Sequence, residues 1–338
     1  MKLFKLLQLI PKRELQQVDN FLATALFNQR ADERKLFKLW VSEKCRSHPA
    51  ENYWTKLFPK KAFSKREWNL LTSRLLQLVE KYLIFREVNQ NKAQQKFLLA
   101  KVYRDLQQST LFEKAAWQTG KALEEQTYRN TNYLQQKHNL SFEHYDYVTS
   151  FNRKAETNLQ EVCDNLDRYL IAEKLKQACL TTSRQTVNQE QYNVAFLEAV
   201  LKSLKDNPAL LDIPAIAVYY YCYQTISGNP SEYFTPFLES IKANQGFFQP
   251  AERRDIYTFA INHFIRQLNT GSEQVINNTF ELYLLILEAG YLIDDGIILE
   301  STYTNIVWLA AKLERYDWAI EFIKSYRKYL KPKFKIWL

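Results

Sequence analysis

The sequence predicts an all-α protein in which a stack of antiparallel helix pairs follows a basic N-terminal helical module. Three observations predict it. The 338 residues include only 6 Gly and 9 Pro, too few to supply the turn about every ten residues that a sandwich, barrel or doubly wound sheet requires. Apolar residues recur at the spacing of a helix face, and in the second half the breakers fall where helix ends belong. With 46% hydrophobic and 25% charged residues, the chain is globular rather than disordered, and at this length about 75% of the unfolded surface can be buried.

The elements follow in order. Met1 to Ile10 is apolar, but Lys5 and Gln8 interrupt it and Pro11-Lys12-Arg13-Glu14 stands where a signal cleavage site needs small residues, so it reads as a first amphipathic helix. Ser64-Lys65-Arg66-Glu67 and Thr110-Leu111-Phe112-Glu113 have the form of capping boxes. After Ser64, the residues Trp68, Leu71, Leu75, Leu78, Val79 and Tyr82 fall on one helix face, with Arg66, Asn69, Ser73, Gln77 and Glu80 opposite. Lys60 to Asn207 contains no proline and only Gly120, which implies long helices.

Further on, Asp212 and Pro214 start a helix, Gly228-Asn229-Pro230 ends it, Pro236 lies early in the next, Gly246 stops that one and Pro250 opens another. Asn269-Thr270-Gly271, Gly290 and Asp294-Asp295-Gly296 mark three more breaks, giving helix pairs that begin near 212, 250 and 300. Ile213–Tyr223 and Phe280–Leu287 are apolar almost all round and therefore belong inside the stack. The second could be a strand by periodicity, but Glu281 and Glu288-Ala289 favour helix.

Charge divides the chain unevenly. Residues 1–100 hold 20 Lys and Arg against 9 Asp and Glu, a balance of +11, whereas the rest holds 26 against 28, a balance of −2. Together with a change of pattern at Asn89-Gln90-Asn91-Lys92, this sets the expected boundary between a basic module, 1–90, and a helical-repeat region, 91–338. No membrane span is expected, because the longest apolar run contains Pro214 and falls short of about 20 residues. Cys45, Cys163, Cys179 and Cys222 lie too far apart for a zinc-type pair or a dense disulfide framework, so the chain reads as cytoplasmic.

The last helix pair resembles a tetratricopeptide unit. Ile306, Leu309, Ala310 and Leu313 form a first helix face, Tyr316 precedes a second helix with small Ala319 at the crossing and Ile323 one turn on, and Pro332 follows it. The resemblance covers this pair well and the pairs at 212 and 250 in outline; it implies an α-solenoid with a concave groove for a protein or peptide. The N-terminal third is similar to a group of all-helical bacterial proteins, chiefly from Bacteroidota, to which no activity is attached. The matching residues are Glu14-Leu15, Phe21-Leu22, Phe27-Asn28, Leu57-Phe58-Pro59, Leu70, Ser73, Leu75-Leu76, Leu78 and Glu80-Lys81-Tyr82-Leu83. Members of that group continue with further repeat-like helices. The apolar end Phe334-Lys335-Ile336-Trp337-Leu338 therefore reads as a truncated chain or as a tail docked on the last repeat.

Catalytic signatures are weak. No two glycines lie within five residues of one another, which removes a phosphate-cradling loop. His48, His138, His144 and His263 include no i, i+4 pair, and His138 and His144 would point about 120° apart on one helix, so no metal site is expected. His263 shares a face with Ile256, Phe259 and Ala260 and reads as a hydrogen-bonded core or rim histidine. Glu161, Asp164 and Asp167 read as a solvated helix face balanced by Arg168 and Lys174, and Asp294-Asp295-Gly296 as a turn. No serine or cysteine has the context of a nucleophile. The chain thus reads as a non-enzyme without cofactor.

Two constellations stand out as binding surfaces. Lys56, Lys60, Lys61, Lys65, Arg66 and Arg74 lie on a turn and the capped helix after it, where Arg66, Asn69, Ser73 and Arg74 would face outward as in a helix-turn-helix. Against this stands a solvated or protein-facing patch. Tyr219, Tyr220, Tyr221 and Tyr223 could stack on bases or grip a peptide, although four tyrosines in five residues cannot share one face, so most belong to core and groove packing. The leading expectation is a scaffold that binds a protein or peptide in a solenoid groove. The alternative is a nucleic-acid-binding regulator that uses the basic module.

Overall fold

The computed structural model describes residues 2–43, 48–151, 154–188, 190–227, 230–294 and 296–331, without the side chains of 186–188 and 231. Cys45, the break at Gly228-Asn229, Asp295, Pro332 and Phe334–Leu338 lie outside them. Among the described residues the regular structure is helical, apart from one isolated bridge between Asp294 and Ile297. None of these helices is long and apolar enough to cross a membrane. The chain divides into two compact units, Met1–Tyr103 and Arg104–Leu338.

In the first unit, α1 (Lys2–Leu9) leads through a 3₁₀ turn to α2 (Leu15–Ala23), α3 (Ala31–Ser42), α4 (Ala50–Leu57) and α5 (Lys65–Gln90). A single residue, Asn91, separates α5 from α6 (Lys92–Asp105), within which the unit ends. The spine is α5. It buries Trp68, Leu71, Leu75, Leu78, Val79 and Tyr82, the face its apolar spacing marks out, and α1, α2 and α3 pack on it. α1 is amphipathic, with Leu3, Phe4 and Leu7 inside.

An aromatic ladder connects these helices. Trp68 stacks on Tyr53 with centroids 6.1 Å apart, Tyr53 on Phe4 at 5.2 Å, and Phe4 on Trp40 at 6.4 Å, so one rung comes from each of α5, α4, α1 and α3. Burial of such rings supplies most of the driving force, and their offset stacking fixes the angles. Ion pairs clasp the rim: Arg34 donates twice to Asp19 at 2.8 Å, and Arg86 donates to Glu14 at 2.8 Å.

The capping boxes fare differently. Ser64 Oγ accepts the Glu67 N–H at 3.4 Å, but the Glu67 carboxylate turns to Lys61 at 2.6 Å instead of closing the box. At Thr110 the box is absent: Gln107 adopts a left-handed conformation, φ 56°, and the next helix begins one residue ahead of Thr110, without a side-chain cap.

The second unit comprises α7 (Ser109–Glu124), α8 (Thr131–Phe151), α9 (Leu159–Asn188), α10 (Leu197–Asp206), a 3₁₀ turn at Pro208–Asp212, α11 (Pro214–Ser227), α12 (Pro230–Asn244), α13 (Pro250–Asn269), α14 (Ile276–Glu288), α15 (Glu300–Lys312) and α16 (Tyr316–Tyr326). α11 is the central helix, with every residue from Ala215 to Tyr220 and Cys222 buried among α9, α12 and α13. α14 is helical, as its flanks imply. Helices α13, α14, α15 and α16 pack each on the next.

The breaks have a shared geometry. Gly271 and Gly290 take φ of 89° and 72°, and in both cases the following N–H reaches back to a carbonyl one turn inside the helix, Ser272 to Gln267 at 3.0 Å and Tyr291 to Ile286 at 3.0 Å. That is the Schellman termination, which favours glycine because left-handed backbone crowds a Cβ.

The Arg34 guanidinium hydrogen-bonded to Asp19 holds that carboxyl below the usual range. A depressed carboxyl contributes stability that is complete above its unfolded pKa and is lost as pH falls through the folded one. Asp19→Asn should therefore lower the urea midpoint at pH 7, with the deficit closing below about pH 4. Tryptophan fluorescence, with Trp40, Trp54 and Trp68 in this unit, would measure it; a deficit independent of pH would refute the ion-pair account.

Candidate functional site

The basic turn is built on Trp54. Its indole N–H is shared between the carbonyls of Lys61 at 3.1 Å and Ala62 at 3.0 Å, and the Lys61 ammonium lies 5.7 Å over the ring. This fixes the path into α5, where Lys65, Arg66 and Asn69 are exposed. The six expected residues do not make one uniform face. Lys61 is bound to Glu67, Arg74 turns to the buried Glu33 at 4.0 Å, and Lys56 pairs with Glu43. Lys60, Lys65 and Arg66 are exposed and make no ion pair among the described residues. The connection Phe58–Ser64 is longer than the three or four residues of a helix-turn-helix turn.

The tyrosines lie inside rather than on a surface. Tyr219 is 1% and Tyr220 8% exposed, while Tyr223 is half-buried. Neither Tyr219 nor Tyr220 can line an open groove, because α11 is enclosed by its neighbours. The Tyr219 hydroxyl donates to Glu252 Oε1 at 2.7 Å. Lys176 Nζ lies 3.4 Å from the same oxygen, and Asn130 Nδ2 donates to Oε2 at 2.7 Å. Burial, reinforced by the Glu252 charge, pushes the Tyr219 phenol far above its ordinary range, so it remains a donor.

A groove that the sequence did not reveal lies beside this network. Two adjoining cavities of about 550 and 440 Å³, sharing Arg168, Asn207 and Leu210, run between α8, α9, α10 and the 3₁₀ turn. Leu134, Ile171 and Val200 give an apolar floor. At one end the Tyr133 ring is flanked by Arg129, 4.4 Å from its centroid, and Lys137 at 5.8 Å. Arg129 is held there because its guanidinium caps the C-terminal carbonyls of α7, reaching Glu124 O at 2.6 Å and Leu123 O at 3.2 Å. At the other end stands Phe196.

Phe196 is unusual on two counts. Its side chain is 74% exposed, and its backbone is left-handed, φ 66°. Gln107 and Glu314 share that conformation, but each follows a helix, and at Glu314 the Arg315 N–H returns to Ala310 O at 2.9 Å as a Schellman cap requires. Phe196 precedes α10, where no such termination demands it.

No family model matches the chain, and no curated protein or solved structure is detectably similar to it.

Other chemistry-bearing residues are placed simply. Among the described residues, no group of three His, Cys, Asp or Glu side chains could hold a metal ion. His263 is half-buried and shares a 3.0 Å hydrogen bond with Gln267; burial, with the nearby Arg266 charge, lowers its pKa. Cys179 and Cys222 are buried free thiols, and Cys163 is exposed and free. Asp164 and Asp167, read in the sequence as a solvated face, line the groove. The clue to the groove was Phe196 itself, an aromatic residue ending a polar stretch without a breaker.

Two outcomes follow from this geometry. Tyr219→Phe should cost about 1 kcal/mol in chemical denaturation by leaving a largely buried carboxylate short of a donor; an unchanged midpoint would refute the network's role. Phe196→Gly should raise stability by about 1 kcal/mol, since it relieves left-handed strain while removing a ring with little packing. A lowered midpoint would refute that.

Proposed function

We propose that the protein is a non-enzymatic interaction scaffold that binds a protein or peptide segment in the groove of its second unit. The observation that carries this reading is the apolar-floored groove ending at an exposed aromatic ring on strained backbone, since strain of this kind concentrates at functional positions. The successive packing of α13 to α16, together with the tetratricopeptide-like residues Tyr316, Ala319 and Ile323, supports reading this region as an irregular helical-repeat stack. Ala319 is buried, as a small residue at a helix crossing should be.

A second reading, nucleic-acid binding by the first unit, is favoured by one observation: Lys60, Lys65 and Arg66 are exposed beside the Trp54-anchored turn without acidic partners among the described residues. Such cations would contact phosphates and give salt-dependent, sequence-independent affinity.

A photo-crosslinking phenylalanine analogue at position 196, used in the native cell, should form protein adducts that disappear when Ala199→Trp fills the groove. Absence of such adducts would sink the scaffold reading. Undetectable affinity for random duplex and single strands near about 50 mM salt would remove the second.

A further inference from the structure

The groove carries opposite charge at its two ends, and this deepens the scaffold reading, on which the following rests. Around Tyr133 stand Arg129 and Lys137, with Arg168 next along the groove; Asp212 also lines that end and Lys137 pairs with Glu124 at 3.3 Å, so the cations there without an acidic partner among the described residues are Arg129 and Arg168. Towards Phe196 stand Asp164 and Asp167. Asp164 and Arg168 are one turn apart on α9, a spacing at which opposite charges normally meet. Here they do not. Asp164 accepts from Gln160 at 2.8 Å, and Arg168 donates to Asn165 Oδ1 at 3.3 Å. Among the described residues Arg168 pairs with no acid, and neither Asp164 nor Asp167 pairs with a cation. Both signs are thus left open to a partner: Asp164 and Asp167 in the cavity floored by Ile171 and Val200, and Arg168 where that cavity meets the one lined by Leu134 and Arg129.

We propose that the groove's ligand is a short extended peptide segment carrying both charges, with carboxylates at the Arg129–Arg168 end, apolar side chains over Leu210, which lines both cavities, and ammonium or guanidinium groups at the Asp164–Asp167 end. From Asp164 to Arg168 the helix advances about 6 Å, the length of roughly two extended residues, so opposite charges flanking two apolar residues fit it. A polyanion does not fit, because its evenly spaced phosphates would meet Asp164 and Asp167 as well as the cations. An all-basic segment would meet the converse repulsion at Arg168.

Fluorescence anisotropy on the full chain, with labelled Asp-Asp-Leu-Leu-Lys-Lys, tests this against Asp-Asp-Leu-Leu-Asp-Asp and Lys-Lys-Leu-Leu-Lys-Lys. The mixed-charge peptide should bind about tenfold more tightly than either single-sign peptide. Arg168→Glu should shift the preference towards the all-basic peptide and Asp164→Lys towards the all-acidic one, each with an unchanged circular dichroism spectrum. Ala199→Trp should abolish binding of all three. Equal binding of the three peptides, indifference to both charge reversals, or displacement by oligo-dT as effective as by unlabelled peptide would overturn the proposal. If Ala199→Trp still abolishes binding in those cases, the scaffold reading survives it. If none of the peptides binds, both fall.

Discussion

The second unit depends on one carboxylate. Glu252 lies in the first turn of α13, where the helix dipole favours an anion, and it receives a phenol from α11, an ammonium from α9 and an amide from the residue before α8. Only 13% of its side chain is exposed. A carboxylate so nearly removed from water is tolerated because each oxygen is met by donors. Helix α11 is apolar on all sides, so hydrophobic burial alone would leave its rotation weakly specified; the hydroxyl of Tyr219 has one place to go, and that sets the register. The constraint extends to the site. Asn130, which gives its amide to Glu252, also accepts the Tyr133 N–H at 3.3 Å and so fixes the start of α8. Its neighbour Arg129 closes the end of α7 and donates its backbone N–H to Phe247 at 2.8 Å. The cationic wall of the groove is thereby tied to the core.

The first unit solves a different problem, that of a strongly basic chain. Its acids are used as local counter-charges: Asp19 faces Arg34, Glu14 faces Arg86, Glu43 faces Lys56 and Glu67 faces Lys61. These pairs sit at the rim, where each contributes little to stability, but they remove cations from the open surface. The pairs leave the net balance of +11 unchanged but divide the basic turn, so that of its six cations Lys60, Lys65 and Arg66 lack an acidic partner among the described residues. The aromatic ladder through Trp68, Tyr53, Phe4 and Trp40 holds the unit together, and the charge is arranged around it.

What was legible in the sequence follows from how local the physics is. Gly271 and Gly290 end helices because of their own backbone freedom, and Pro214 and Pro250 begin them because of a missing N–H; neither needs a distant partner. The buried face of α5 is likewise written in a single periodicity. The Glu252 network was not legible, since Tyr219 lies 33 residues from it and Asn130 122 residues away. The tyrosine cluster could be misread for the same reason: a Tyr in a long apolar helix is equally consistent with a stacking surface and with a buried donor, and only the position of its acceptor separates the two. The groove was illegible because its walls come from three helices and a turn, and its acids look like any solvated face until α10 lies across them.

Phe196 ties strain to this arrangement. Left-handed backbone at a residue with a bulky aromatic side chain costs on the order of 1–3 kcal/mol, and a ring 74% exposed recovers little of that by packing. The cost does secure a direction. With φ at 66° the chain reverses immediately before α10, so that Ala199, Val200 and Ser203 lie along the groove while Phe196 projects at its mouth. The charges of Asp164 and Arg168 follow the same logic as the ring: one turn apart on α9, they bond to Gln160 and Asn165 rather than to each other and stay available in the groove.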